Sequence, residues 1–372
     1  MAAKPYHLCF VNSMRSFGGA EVWFLSAART LHALGLKVSL IAQPDAVWLD
    51  RARAIGITVK TLSIRVDGAP WTAVRLATMF SHHGVTAVIA NTTKDLKNAA
   101  LAGRLARLPV ILGTRESDFP LKDNWNYRLF FRHLATGVLV NSEATRRTTL
   151  GSAPWLDPHR VHLLYKGIDP ERFHPAAAPP PRVTVGFVGQ FIERKGVPEL
   201  MQAWSRFETA PWTGEGPPPV LRMAGEGVLG EDLARWRQGL RHPDRVEIMG
   251  FVEDIPAFYR ECSLLVMPSH AEGFGLAAAE AAVCGLPVIA GRASSLPEIV
   301  QDGVTGRLVD PGDVDGLLAA IEELTGSPAL RATWGRAGRR RVLDNFTHDR
   351  CMARLIQLTG GPVPATLEGA LA

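Results

Sequence analysis

Short apolar runs alternate with longer amphipathic stretches along nearly the whole chain, and this rhythm constrains the fold more than any other feature. YHLCFV (6–11) leads into a helical stretch near 20–34 and then KVSLIA (37–42). VTAVIAN (85–91), VILGT (110–114) and GVLVNS (137–142) repeat the pattern. Strands separated by helices return in the same direction, so the pattern predicts a parallel sheet covered on both faces. HPAAAPPPR (174–182) then interrupts with four prolines, which fit neither a helix interior nor a central strand, and reads as a linker. Beyond it VTVGFVG (183–189), VLRMAG (220–225), RVEIMG (245–250), SLLVMP (263–268), LPVIAG (286–291) and GRLVD (306–310) restart the rhythm. At 372 residues the chain is too long for one ordinary core. The expected architecture is α/β: two doubly wound Rossmann-like domains facing across a cleft. The first spans 1–175 and is rejoined by a C-terminal helix at about 347–360; the second spans 176–346. A last helical stretch is expected over about 328–358, and the tail GGPVPATLEGALA is expected to fray.

The composition, 47% hydrophobic and 21% charged, is that of a water-soluble globular protein. No apolar run reaches the ~18 residues of a membrane span, and the N-terminus has no signal-peptide core, so a cytoplasmic protein is expected. The four cysteines, Cys9, Cys262, Cys284 and Cys351, form no CxxC pair and read as buried thiols. A net charge of +5 suits an anionic ligand or an anionic membrane surface but is too small to argue for nucleic acid.

Several turns carry chemistry. SFGGAE (16–21) joins the first strand to the first helix, where Gly18 and Gly19 let backbone amides approach an anion. GQFIERKG (189–196) has the same place in the second half. Arg194 and Lys195 sit just before a helix opens, an unfavourable position for two cations unless an anion joins them. AGEGVLGEDL (224–233) matches GxGxxG through Gly225, Gly227 and Gly230, the fingerprint of a dinucleotide-dependent oxidoreductase. The acidic residue that completes that fingerprint is missing, because the next strand ends in Met249 and Gly250. DVD (313–315) reads as a helix N-cap at Asp313 and a first-turn Asp315, and no side-chain set has metal-ligand spacing. HAEGFGLAAAEAAVCG (270–285) places Glu272 before a Gly-Phe-Gly turn and Glu280 within an alanine-rich helix, with seven residues between them. The amides of Phe274, Gly275 and Leu276 would open that helix and face an anion. Two carboxylates beside such a site fit acceptors of hydroxyl hydrogen bonds from a ribose and a sugar.

The stretch PSHAEGFGLAAAEAAVCGLPVIAGRASSLPEIVQDGVTGRLVDPGD closely resembles the signature of family 4 retaining glycosyltransferases, which have the GT-B fold. FGGAE, NSEATRR (141–147), LLYKGIDPERF (163–173) and VGQFIERKG extend the resemblance over nearly the whole chain. It implies a retaining, metal-independent hexosyltransferase with no cofactor and a UDP- or GDP-linked sugar as donor. Glu272 would contact the donor sugar near the reacting carbon, and Glu280 the ribose. Arg194 and Lys195 would hold the diphosphate, with amides of Gly19, Gly275 and Leu276. The segment 250–255, including Phe251 and Val252, would lie against the base. Two departures stand out: Gln190 replaces a common arginine, and Arg115, Glu116 and Asp118 stand where the family often has a histidine. A lipid-linked or lipopolysaccharide-type glycan is the expected acceptor. Peripheral docking on an anionic inner leaflet is the functional reading of the basic run 331–342, with YRLFFRH (127–133) supplying apolar insertion. Rival readings are a GT-B-like epimerase or phosphorylase and a non-catalytic sugar-nucleotide-binding protein.

Overall fold

The strand HLCFVN is buried along its whole length, as a central strand must be when helices cover both faces of a parallel sheet. In the computed structural model, which describes residues 5–371, this strand, β1 (His7–Asn12), lies inside a seven-stranded sheet. The others are β2 (Lys37–Ala42), β3 (Thr58–Thr61), β4 (Ala87–Ala90), β5 (Val110–Arg115), β6 (Gly137–Val140) and β7 (Val161–Leu163). Their order is β3-β2-β1-β4-β5-β6-β7, with every pair parallel. Leu8 pairs with Val38 on one side and Ala87 on the other. Phe10, Phe24, Leu31 and Trp48 form the core on one face of the sheet; Val11, Leu76, Phe80 and Ile111 form it on the other.

The second sheet holds β8 (Thr184–Val188), β9 (Val220–Ala224), β10 (Val246–Gly250), β11 (Leu264–Met267), β12 (Val288–Gly291) and β13 (Gly306–Val309). It too is wholly parallel, in the order β10-β9-β8-β11-β12-β13. Phe187, Trp204, Leu221 and Ile321 fill its main core. In each sheet the strand order reverses once, between β1 and β4 and between β8 and β11. At such a switch point the loops leaving two neighbouring strands diverge, and ligands of doubly wound folds bind between them. This topology brings the turn after β8, residues 189–196, beside the loop after β11, residues 268–275.

The chain divides into two compact units, one running to Lys166 and resuming at Asp349, the other covering Gly167–His348. The crossing therefore comes before the proline-rich segment 174–182, which belongs to the second unit. Phe173 is buried there against Tyr259, and Ile168 forms a bridge with Thr347. The single helix expected over 328–358 is two helices, Pro328–Asn345 and His348–Leu358, separated at Phe346. Phe346 packs its ring on Phe274, 5.6 Å away, within the second unit. The second of these helices instead buries Met352, Leu355 and Ile356 in the core of the first unit. The tail is not frayed, since Leu367 is buried in that same core and Gly361 lies against the Tyr6 ring. All four cysteines are buried free thiols.

Candidate functional site

The turn after β8 is shaped by the residue it cannot replace. Gly196 has φ +71°, and a Cβ there would lie 2.1 Å from the Pro268 carbonyl oxygen, so the turn packs directly on the loop leaving β11. A short 3-10 turn, Glu193–Lys195, precedes Gly196, and the helix Val197–Thr209 follows it. The two loops are stitched together. The His270 amide donates to the Arg194 carbonyl at 2.9 Å, and the Arg194 guanidinium donates to the Ala271 carbonyl at 2.7 Å. The His270 ring meets Glu199 at 2.8 Å. At the centre the Lys195 ammonium donates to Glu272 at 2.5 Å, with both side chains largely withdrawn from solvent. Arg194 and Lys195 at a helix start call for an anion, and the fold supplies one from the protein in Glu272.

Beyond Glu272, Phe274 is buried and Gly275, at φ +90°, begins the helix Leu276–Val283. A Cβ on Gly275 would come within 2.8 Å of Leu296, so the chain passes there only as glycine. The amides of Gly275 and Leu276 open this helix and have no intrahelical acceptor. Ser295 fixes the loop from behind by donating to the Glu272 carbonyl at 3.0 Å. Glu280 lies on the same helix, partly accessible, and accepts a hydrogen bond from the Tyr259 hydroxyl at 3.1 Å. Burial raises the Glu280 carboxyl from 4.5 to about 7, against the opposing influence of the Tyr259 bond and of Arg172.

The GxGxxG segment has a packing role that its spacing did not show. A Cβ on Gly225 would lie 1.8 Å from the Gly189 carbonyl oxygen, and one on Gly227 would lie 2.4 Å from that of Phe191. The Phe191 amide donates to the Glu226 carbonyl, and the Gly225 amide to that of Gly250. The glycines thus lock the ends of β8, β9 and β10 into one row. Val252 and the exposed Phe251 follow at the end of that row, Phe251 being 76% accessible. Asp313 caps the helix Val314–Gly326 by accepting from the Gly316 amide at 2.8 Å, and Asp315 pairs with Arg206.

Two family descriptions match the chain. "Glycosyltransferase Family 4" covers residues 17–172, and "Glycosyl transferases group 1" covers residues 169–341. An uncharacterized glycosyltransferase of Methanocaldococcus jannaschii is 30% identical over 263 residues, 68% of each chain. The chain is a family 4 glycosyltransferase. A GDP-mannose-dependent alpha-(1-6)-phosphatidylinositol monomannoside mannosyltransferase of Mycolicibacterium smegmatis is 28% identical to it over 78% of this chain and 81% of that one. An alpha-maltose-1-phosphate synthase of Mycobacterium tuberculosis is 33% identical over 57% of this chain, which spans 60% of that relative. The GT-B fold is shared with Anabaena HepE solved in complex with UDP, at a TM-score of 0.82 and 21% identity over 95% of this chain and 99% of that one. A glycosyltransferase from Rickettsia africae gives 0.84 at 16% identity over 96% and 98%.

In the first unit of this glycosyltransferase, Gly18 and Gly19 are exposed where the turn after β1 opens the helix Gly19–Ala33. The Glu21 carboxylate accepts from the Gly18 amide at 3.0 Å and also from Asn12 and Asn91. These bonds hold the turn at the switch point of β1 and β4. The sequence singled out Glu116 but not its partner at the ends of β5, β6 and β7. There the buried Lys166 ammonium pairs with Glu116 and stands 3.8 Å from the centre of the Trp23 ring. Asn141 donates to the Glu116 carbonyl at 3.2 Å. The available signal was a lysine in the apolar run LLYKGI, which has no partner within its own segment. Tyr259 was missed, being one of two adjacent aromatics in the short helix Ile255–Arg260.

Proposed function

We propose that the chain transfers a sugar from a nucleoside diphosphate donor to an acceptor hydroxyl on a glycan or lipid-linked glycan, with retention of anomeric configuration and no metal ion. The observation that carries this reading is the pair of half-buried Lys195 and buried Glu272 where two strand-to-helix turns meet. In it Lys195, Arg194 and the opening amides of the helix Leu276–Val283 bind the donor diphosphate, and Glu272 accepts hydrogen bonds from the sugar. As the bond between anomeric carbon and phosphate oxygen breaks, charge grows on the diphosphate, and fixed cations and amides stabilise it without reorganising. The acceptor attacks from the face the diphosphate is leaving, and a phosphate oxygen takes its proton. Glu280 accepts from the ribose hydroxyls. Phe251 and Val252 lie against the base. The HepE structure holds UDP and the mannosyltransferase relative uses GDP-mannose, so uridine and guanosine are the bases to try first.

The test is turnover of a panel of UDP- and GDP-sugars with glycan and glycolipid acceptors. NMR of the first product is expected to show the donor's anomeric configuration. Turnover is expected to survive EDTA. An inverted product would overturn the retaining step; activity abolished by chelation and restored by manganese would overturn the metal-free one. Interconversion of sugar nucleotides without acceptor would instead identify an epimerase.

No helix among the described residues is long and apolar enough to cross a membrane. The lipid-linked acceptor draws support from the phosphatidylinositol mannoside enzyme among the relatives. The membrane contact itself finds no support in the run 331–342. Arg331, Arg339 and Arg341 there donate to carbonyls of their own unit, leaving Arg336 and Arg340 exposed. Phe130 and Phe131 are core residues and unavailable for insertion.

A further inference from the structure

Within the first unit, the carboxyl ends of β5, β6 and β7 carry a charged row to which no role in the transfer has been given. Glu116 and Asn141 directly follow β5 and β6, and Lys166 comes shortly after β7, three strands that lie side by side. This is the end of a doubly wound sheet at which ligands bind. The turn after β1 leaves the same end, and Trp23, near the start of the helix which that turn opens, has its ring 3.8 Å from the Lys166 ammonium. Arg115, Leu139 and Leu164 join these residues around a small cavity.

The two charged partners differ in exposure. The Lys166 side chain is 6% exposed and that of Glu116 23%. Glu116 Oε1 accepts from the Lys166 ammonium, and among the described residues Oε2 has no partner. Asn141 fixes the Glu116 backbone by donating to its carbonyl at 3.2 Å, and itself accepts from the Thr145 hydroxyl at 3.1 Å. Taking an ammonium and a carboxylate out of water costs about as much as their attraction returns, so such a pair is a poor device for stability alone. What it secures is position, with one carboxylate oxygen anchored and the other left to accept at the ligand end of the sheet.

A carboxylate accepts and cannot donate, so its ligand must bring a hydrogen, as a sugar hydroxyl does. A phosphate brings acceptor oxygens and more negative charge. The cations of this row that could answer it are engaged. Lys166 is buried against Glu116 and the Trp23 ring. Arg115 donates from Nε to the Thr149 hydroxyl at 3.2 Å and from a terminal nitrogen to the Phe119 carbonyl. We propose that Glu116 holds the acceptor by accepting a hydrogen bond from a hydroxyl of an uncharged sugar ring, and that the row selects such a sugar over a phosphorylated one. A role in acceptor binding rests on the transfer proposed above, so the experiment measures donor binding separately.

Nucleoside diphosphate release is followed with the panel of UDP- and GDP-sugars. The acceptors are the methyl pyranosides of glucose, galactose and mannose beside their 6-phosphates. Binding of UDP and GDP to the same proteins is titrated by calorimetry. At least one pyranoside is expected to turn over, and faster than its phosphate. Glu116→Gln should raise the KM for that pyranoside by about 10- to 100-fold, the loss of one hydrogen bond to a charged group, with nucleotide affinity unchanged. Glu116→Gln with Lys166→Met also removes the unpaired ammonium, so it should regain the wild-type melting temperature and keep the raised KM. Faster turnover of the phosphates overturns the proposal, as does turnover of no pyranoside by a protein that binds UDP or GDP; the donor site then still stands. A wild-type KM in folded Glu116→Gln protein, or recovery of KM together with stability in the double variant, overturns it equally and leaves the pair a structural one. A wild-type protein that binds neither nucleotide contradicts the transfer reading, and the acceptor site with it.

Discussion

Lys195→Ala is expected to lower turnover of the nucleotide sugar by about 100- to 1,000-fold, the loss seen when one fixed group that stabilises transition-state charge is removed. The same change also leaves buried Glu272 without its partner, which destabilises a protein by up to about 3 kcal/mol. The two effects separate in the double variant Lys195→Met, Glu272→Gln. Neutralising both partners removes the unpaired charge, so the melting temperature should return close to that of the wild type while turnover stays lost. The pair lies at the meeting of two loops, Glu272 buried and Lys195 half-buried, 2.5 Å apart. A purely structural pair would behave differently, the double variant recovering activity together with stability. Wild-type turnover by a folded Lys195→Ala protein would equally contradict the assignment.

Glu280 is expected to give the nucleotide site a pH dependence near neutrality. Its carboxyl is raised to about 7 by burial, so below that pH it is mainly protonated in the free protein. The ionised form accepts hydrogen bonds from two ribose hydroxyls, whereas the protonated form has one oxygen committed as a donor. Affinity for the nucleoside diphosphate should therefore rise as pH climbs through about 7. The terminal phosphate of the ligand titrates nearby, at about 6, so Glu280→Gln is the reference curve. The wild type should gain affinity over that curve above neutrality. Stability carries the opposite sign. The folded-state value lies above the unfolded one, so the proton is held more tightly in the native state. The contribution is complete below about 4.5 and is lost as pH rises to about 7, a displacement of on the order of 3 kcal/mol. Glu280→Gln should thus be relatively more stable at alkaline pH. Parallel binding curves for wild type and variant across this range would remove Glu280 from the ribose.

Much of this was legible in the sequence because parallel strands buried on both faces announce themselves as continuous apolar runs. The two strands that escaped, β3 (TVKT) and β7 (VHL), are short outer strands of the first sheet with partly accessible residues, so they lack that signal. The end of the first unit escaped for a related reason. Proline shows where a helix or strand cannot continue, but Phe173 and Ile168 reveal their unit only through the partners they bury against. In the site, the positions of Glu272, Glu280, Arg194 and Lys195 were visible as residues beside glycine-bearing turns. Their pairing was not, because Lys195 and Glu272 are 77 residues apart in the chain and meet only through the strand order at the switch point. The packing role of the GxGxxG glycines was hidden for the same reason. Gly225 and Gly227 are required by neighbouring carbonyls of the turn after β8, a demand that no local pattern records.

The claim on which the rest depends is that the turn 189–196 and the helix start at 275–276 form a diphosphate site. Calorimetric titration of UDP, UMP, GDP and GMP into the wild type, Arg194→Ala and Lys195→Ala proteins tests it most directly. One diphosphate is expected to bind more tightly than its monophosphate, and each substitution to weaken the diphosphate by about 10- to 100-fold, the effect of losing a hydrogen bond to a charged group, with a smaller effect on the monophosphate. Equal losses for diphosphate and monophosphate, or no loss for either, would place these cations away from the phosphates and contradict the account.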